Sequence, residues 1–150
     1  MSERIVVGVD GSEGATSAVR WAAREARLRG AKLELVTAWQ LPTYSGAFSM
    51  ASIPDELVDE LAAEAERRAA EAAKEARDEG GDPDIETRVV EGPPATVLLA
   101  AARVADLLVV GSRGLGGFSE LLLGSVSHQC AHHAPCPVVI VRDRDRSSGT

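Results

Sequence analysis

Aromatic residues are scarce in this sequence. Phe, Trp and Tyr make up 3% of the 150 residues, whereas 45% of the residues are hydrophobic. A core without many aromatic rings must be built from Val, Leu, Ile and Ala, as is common in parallel sheets. Because the bases of single-stranded nucleic acid stack on aromatic side chains, we do not expect a stacking surface of that kind.

Positive charge is also in short supply. Sixteen Lys and Arg residues stand against 23 Asp and Glu residues, and the net charge is −7. A surface that follows nucleic-acid phosphates needs the opposite sign, so nucleic acid is not an expected partner. A phosphate site in this chain would have to work locally, through backbone N–H groups, an Arg side chain or a metal ion.

Long hydrophobic runs and a cysteine framework are missing as well. No run is long enough to cross a bilayer, and the apolar run at residues 5–9 is too short for the core of a signal peptide. Cys130 and Cys136 are too few for the disulfide framework of a secreted protein. We therefore expect a cytoplasmic protein that does not bind membranes.

Strand and helix patterns alternate along the chain. Short apolar runs predict strands at 5–9, 32–39, 85–91, 106–111 and 138–141. Helical periodicity predicts helices at 13–29, 55–79 and 93–104, and one more after Ser125. Because each parallel pair of strands needs a crossover, this order predicts an α/β domain with a parallel sheet and helices on both faces.

The domain is expected to span residues 1–142, with a loop at 40–53 and a frayed tail at 143–150. The second helix is lined with Ala, and we expect it to lie on the sheet rather than in a coiled coil. The apolar residues of the first helix recur near helical spacing, at Ala15, Ala18, Val19, Ala22, Ala26 and Leu28.

Glycines at 111, 114, 116, 117 and 124 follow the fourth predicted strand. Glycine lets a backbone approach phosphate oxygens closely and adopt positive φ, so that several N–H groups face one anion. Ser125 is predicted to cap the next helix, whose amino terminus favours negative charge. The alternative is a flexible connector without a ligand. Phe118 is expected to be a packing residue or a cover over this loop.

Two common phosphate-binding patterns are absent. The only lysines are Lys32 and Lys74, so the segment lacks the terminal Lys of a P-loop. The turn after the first strand reads Gly8-Val9-Asp10-Gly11, which does not match the dinucleotide pattern G-x-G-x-x-G. A nucleotide must be held in another way.

The glycine segment reads Gly111-x-x-Gly114, then nine further residues and Gly124-Ser125. This spacing resembles the ATP-binding signature of the universal stress protein family. Residues 8–12 and 134–139 also resemble segments of that family. The resemblance implies a Rossmann-like, adenine nucleotide alpha hydrolase-like fold with a five-stranded parallel sheet of order 3-2-1-4-5. Ligands of such sheets bind where the strand order reverses, here between strands 1 and 4.

The resemblance also implies ATP, with Mg²⁺, as the ligand. Asp10 would accept a hydrogen bond from a ribose hydroxyl or help to hold the metal through water, and the alternative is a residue that only forms the turn. Arg113 is not among the positions that the resemblance implies, but we expect it to act as a movable cation. Gly8 lies on the side of the crevice that the first strand forms. The implied phosphate contacts are Gly111, Gly114, Gly124, Ser125 and Val126, and the implied adenosine contacts are Val9, Asp10 and Ala38.

Three functions are compatible with these residues. The first is a regulatory protein that senses or retains adenine nucleotide, with no catalytic residue, and its role in the stress response is implied by the resemblance. The second is a slow ATPase or a phosphoryl or adenylyl transferase. The third is a dimeric scaffold with ATP as a structural ligand. The resemblance further implies a homodimer formed through the fifth strand, and regulation implies a protein partner that the sequence does not identify.

Histidines and cysteines cluster near residue 130. His128 and His132 share a helix face, whereas Cys130 lies on another face and Cys136 lies beyond the helix between two prolines. A structural zinc is the alternative, but this spacing does not suit one, and we predict no metal site made of these residues. His132 and His133 suit the negative end of the helix dipole.

Overall fold

The computed structural model describes residues 3–42, 53–114 and 123–142. Within these ranges the predicted strands and helices are all present, and their ends lie within about two residues of the predicted ones, a normal uncertainty for such boundaries. Most of the loop at 40–53, Phe118 and the tail at 143–150 lie outside the described residues. The elements are β1 Arg4–Val9, α1 Glu13–Arg29, β2 Lys32–Trp39, α2 Asp55–Asp78, β3 Ile85–Glu91, α3 Pro94–Ala102, β4 Leu107–Gly111, α4 Ser125–His133 and β5 Val138–Val141.

The strands form one parallel sheet of order β3-β2-β1-β4-β5, which confirms the predicted fold class. β1 and β4 are neighbours, with Val7 opposite Val109. From β1 the chain continues to β2 on one side, and from β4 it continues to β5 on the other. The segments that follow β1 and β4 therefore leave the sheet in opposite directions, and a crevice lies between them.

Each face of the sheet has its own apolar core. Strand residues such as Ile5, Leu33 and Leu35 point to the face covered by α1 and α2, and Val6, Val36 and Leu108 point to the face covered by α3 and α4. Ala, Val, Leu and Ile make up nearly all of both cores, as the scarcity of aromatic residues predicts. Small side chains let the helices approach the sheet closely.

Helix α1 begins and ends at recognisable capping residues. Ser12 is the N-cap, and its Oγ accepts a hydrogen bond from the backbone N–H of Ala15 at 3.1 Å. Gly30 ends the helix in the left-handed conformation with φ 64°. Leu28 is an apolar residue of this helix that does not belong to its buried face, because 78% of it is exposed. Two residues after the buried Ala26, its side chain lies about 200° further around the helix axis.

Helix α2 lies on the sheet beside α1. Its buried residues are Ala65, Ala69, Ala72, Ala73 and Ala76. On the solvent side, Arg20 of α1 pairs with Glu75 at 2.9 Å and Arg24 pairs with Glu79 at 3.2 Å. The alanine face of α2 thus packs against the sheet and α1, as expected for a helix that lies on a sheet. Among the described residues, no helix is both long and apolar enough to cross a membrane.

Candidate functional site

A cavity of about 330 Å³ opens at the carboxyl ends of β1 and β4. The structure brings all the predicted site residues to its wall. They are Gly8, Val9, Asp10, Ala38, Gly111, Arg113, Gly114, Gly124, Ser125 and Val126. Residues beyond that predicted set also line the cavity, namely Ser12, Ala15, Val36, Pro94, Leu98, Val110 and Ser127.

Asp10 follows β1 and faces the glycine segment. The backbone N–H and the hydroxyl of Ser12 both donate to Asp10 Oδ1, at 2.8 and 2.5 Å. The other carboxylate oxygen, Oδ2, lies 2.6 Å from the position that a Cβ atom on Gly114 would occupy. Asp10 therefore forms the turn through one oxygen and presents the other at the cavity wall, so the turn-forming role and a ligand-binding role are compatible.

Close packing, rather than positive φ, explains two of the described glycines, Gly111 and Gly114. A Cβ atom on Gly111 would lie 2.7 Å from the carbonyl carbon of Gly14, which is a backbone atom of α1. Neither Gly111 nor Gly114 nor Gly124 has a φ in the left-handed region, and the other two glycines of the segment lie outside the described residues. The left-handed glycine beside the cavity is Gly11, with φ 82°. At Gly111, only glycine lets β4 approach the first turn of α1.

The amino terminus of α4 forms one end of the cavity. The prediction that Ser125 caps this helix was wrong, because Gly124 is the N-cap and Ser125 is the first helical residue. Gly124 has no side chain, and no side chain accepts a hydrogen bond at the N-cap. The first turn of α4 therefore presents N–H groups of Ser125 and Val126 without a side-chain cap.

Apolar side chains form the other part of the cavity wall. Val36 and Ala38 come from β2, Val110 from β4, and Pro94 and Leu98 from α3. Pro94 and Leu98 were not predicted as site residues, because α3 precedes β4 and contains neither a glycine nor a charged residue. The pair Pro93-Pro94 was the available signal, because it starts a helix directly after β3, at the edge where the other site segments meet.

The cavity wall carries little charge. Among the described lining residues, the ionisable ones are Asp10 and Arg113, so the formal charges of the wall cancel. Neither Lys32 nor Lys74 is among them. An anion in this cavity would therefore be held mainly by backbone dipoles, with Arg113 as the side-chain cation.

None of the clustered histidines and cysteines lines this cavity. The rings of His128 and His132 are 4.6 Å apart between centroids, as expected for side chains one helical turn apart. Cys130 is fully buried in the core, and burial raises the pKa of its thiol to about 11. Burial also raises the pKa of Cys136. In the ranges that the structure describes, no three His, Cys, Asp or Glu side chains are grouped as metal ligands would be.

The sequence and the fold also match a known family. Residues 1–142 match the model of the universal stress protein family. The chain belongs to this family. A universal stress protein of Thermus aquaticus is 36% identical to it over 148 residues, which cover 95% of this chain and 100% of that protein. The chain spans 49% and 48% of the universal stress proteins of Mycolicibacterium smegmatis and Mycobacterium tuberculosis that it matches, about half their length.

Two similar structures from the universal stress protein family were solved with nucleotides. One, in complex with cAMP, is 33% identical, with a TM-score of 0.70 over 94% of this chain and 97% of that chain. The other, from Archaeoglobus fulgidus in complex with dAMP, is 28% identical, with a TM-score of 0.65 over 93% of this chain and 97% of that chain. Both ligands are adenine nucleotides.

Proposed function

We propose that this universal stress protein is a regulatory protein of the stress response that retains ATP, with Mg²⁺, in the cavity between β1 and β4. Its relatives with bound cAMP and dAMP support an adenine nucleotide as the ligand class. The observation that carries the proposal is the chemical division of the cavity into a polar end at α4 and an apolar part at α3.

The phosphates occupy the end formed by α4. The first turn of a helix attracts an anion through its N–H groups and through the positive end of its dipole. Gly124, the N-cap residue, has no side chain at this end, and Arg113 supplies a positive charge at the cavity wall. Ser125 and Val126 contribute their backbone N–H groups.

The other two helices that begin at the cavity are less suited to phosphates. The start of α1 is capped by Ser12 Oγ, which already accepts the N–H of Ala15. Helix α3 begins at Pro94 after Pro93, and neither residue has a backbone N–H. The adenine ring therefore lies toward α3, against Leu98 and Ala38. This orientation leaves the ribose near Val9 and Asp10.

Mg²⁺ would be held jointly by the phosphates and Asp10. This ion favours oxygen ligands and usually combines one or two carboxylates with phosphates and water. Asp10 Oδ2 is a carboxylate oxygen at the cavity wall, so the residues present fit this arrangement. When bound, the ion would neutralise phosphate charge. Asp10 itself is oriented by the two hydrogen bonds that Ser12 donates to Oδ1.

The site is proposed to bind nucleotide rather than to consume it. Among the described lining residues there is no His or Lys, and Asp10 is the one carboxylate that would serve as a general base. Single-turnover kinetics with ATP and Mg²⁺ distinguish the two functions. We expect turnover far below about 1 per second, and a faster rate would favour an ATPase or transferase.

Mass spectrometry of the small molecules that copurify with the folded protein tests the ligand directly. We expect an adenine nucleotide. Calorimetric titrations with adenosine, AMP, ADP and ATP then test the orientation, because contacts at α4 should make the phosphorylated ligands bind more tightly than adenosine. A ligand without adenine, or equal affinity for adenosine and ATP, would contradict the proposal.

We further propose that the protein acts in the cytoplasm as a homodimer formed through β5, with an unidentified regulatory partner. β5 is an edge strand, and its four residues, Val138–Val141, are all apolar and only partly buried. Edge strands of this kind tend to be covered. Light scattering with and without ATP tests the dimer, and a monomer mass at every protein concentration would contradict it.

A further inference from the structure

The backbone carbonyl of Ser112 joins the two ends of the glycine segment. Ser112 directly follows β4, and its N–H donates to the carbonyl of Val141 at the end of β5, at 2.9 Å. Its carbonyl oxygen accepts a hydrogen bond from the N–H of Gly124 at 2.6 Å and another from the hydroxyl of Ser127 at 2.9 Å. The start of α4 is thereby attached to the end of β4.

We propose that Ser127 is a positioning residue that holds the amino terminus of α4 in place for the phosphates. This role rests on the proposed nucleotide function. Ser127 reaches Ser112 across 15 positions of sequence, whereas an ordinary helix serine bonds only within its own helix. Its hydroxyl also lies 3.0 Å from the carbonyl of Gly124, the N-cap residue. Both acceptors therefore belong to the junction between β4 and α4.

Burial makes this attachment rigid. Ser127 is 2% exposed and Ser112 is 5% exposed, so water does not readily replace either group. A buried hydroxyl that loses its acceptor is costly, which keeps the Ser127 hydroxyl on these two carbonyls.

A fixed helix terminus matters for anion binding in particular. The N–H groups of Ser125 and Val126 bind one phosphate well only when they are directed at it before the ligand arrives. The adenine part of the cavity is formed by β2 and α3, which Ser127 does not hold. Loss of the Ser127 hydroxyl should therefore weaken phosphorylated ligands selectively.

The test is Ser127→Ala, with Thr16→Val as the matched control. Thr16 also donates its hydroxyl to a backbone carbonyl in the first turn of a helix near the cavity, but that acceptor, Ser12 at 3.2 Å, lies in the same turn. For Ser127→Ala we expect AMP and ATP to bind about three- to tenfold more weakly, the effect of one hydrogen bond. Adenosine affinity should change less than about twofold, and Thr16→Val should leave all three affinities unchanged.

Amide hydrogen exchange in the protein without ligand gives a second readout. Ser127→Ala should raise the exchange rate at Gly124, whose N–H donates to the Ser112 carbonyl, and Ser127→Thr, which keeps the hydroxyl, should restore both that exchange rate and the affinities. Equal weakening of adenosine and ATP, or unchanged exchange at Gly124, would overturn the positioning role. A wild-type protein that binds no adenine nucleotide would instead overturn the proposed function, whatever the exchange rates of the variant.

Discussion

The Oδ2 atom of Asp10 lies 2.6 Å from the point where a Cβ atom on Gly114 would be placed. Asp10 follows β1 and Gly114 follows β4, so this approach joins the two halves of the candidate site. The carboxylate cannot turn away freely, because its other oxygen accepts two hydrogen bonds from Ser12. Gly114 therefore provides the space that this orientation of Asp10 requires.

Gly114→Ala should impair nucleotide binding more than folding. The added methyl group would displace the Asp10 carboxylate, a side-chain end at the cavity wall, rather than the backbone. We expect calorimetry to show about tenfold weaker ATP binding, or ~1.4 kcal/mol. The unfolding free energy should fall by less than about 1 kcal/mol, which urea denaturation measures.

Gly30→Ala is the matched control for that variant. Gly30 has φ 64°, and no heavy atom lies within 4 Å of the position that an added methyl group would occupy, so the change strains the backbone without a clash. It should cost about 1 kcal/mol of stability and leave ATP affinity unchanged. Unaltered ATP binding in Gly114→Ala would contradict the proposed site. If nucleotide binding is lost while partner binding persists, the scaffold function is favoured.

Gly111→Ala should mainly destabilise the fold. A Cβ atom there would lie 2.7 and 2.8 Å from the carbonyl carbon and oxygen of Gly14, and α1 would have to shift away from β4. We expect a loss of about 3 kcal/mol in the unfolding free energy, at the upper end for an overpacked core. A loss below about 1 kcal/mol in urea denaturation would show that Gly111 is not a packing residue.

Gly8 and Leu98 should be energetically coupled. A Cβ atom on Gly8 would lie 2.8 Å from Leu98 Cδ1, so Gly8→Ala should force Leu98 into another rotamer at the cavity wall. In the double variant with Leu98→Ala, the new methyl group would occupy part of the vacated space. A double-mutant cycle of unfolding free energies should give a coupling of about 1 kcal/mol, and strict additivity would contradict this packing.

Thr37→Val should stabilise the protein. Thr37 is 1% exposed, and its Oγ1 is the buried side-chain oxygen that has no hydrogen-bond partner within the described part of the chain. Replacing a hydroxyl with a methyl group of similar shape removes that unsatisfied atom, for an expected gain of about 1 kcal/mol in thermal or urea unfolding. A loss of stability would show that the hydroxyl has a partner.

The same variant should leave ATP affinity unchanged. Thr37 lies between Val36 and Ala38 on β2, and alternate residues of a strand point to opposite faces of a sheet. Val36 and Ala38 line the cavity, and Thr37 does not. Weaker ATP binding in Thr37→Val would mean that the two faces of the sheet are coupled at this strand.

The fold and the location of the candidate site were predictable because their signals are local. Each strand is a short apolar run, each helix has its own apolar period, and the alternation of the two requires parallel crossovers. The glycine segment and the turn at Asp10 each follow a strand directly, and parallel strands bring their carboxyl ends to one edge. The sequence alone therefore determined the class of fold and the edge where the cavity lies.

The tertiary structure decided what individual residues do there. Gly111 and Gly114 look alike in the motif, yet one faces the backbone of α1 and the other faces the carboxylate of Asp10. Leu98 reaches the cavity from α3. At the start of α4, Ser125 was predicted to bond as a cap, but the serine that bonds there is Ser127, which donates to the Ser112 carbonyl. Such roles depend on close approach between residues far apart in the chain, so no local pattern contains them.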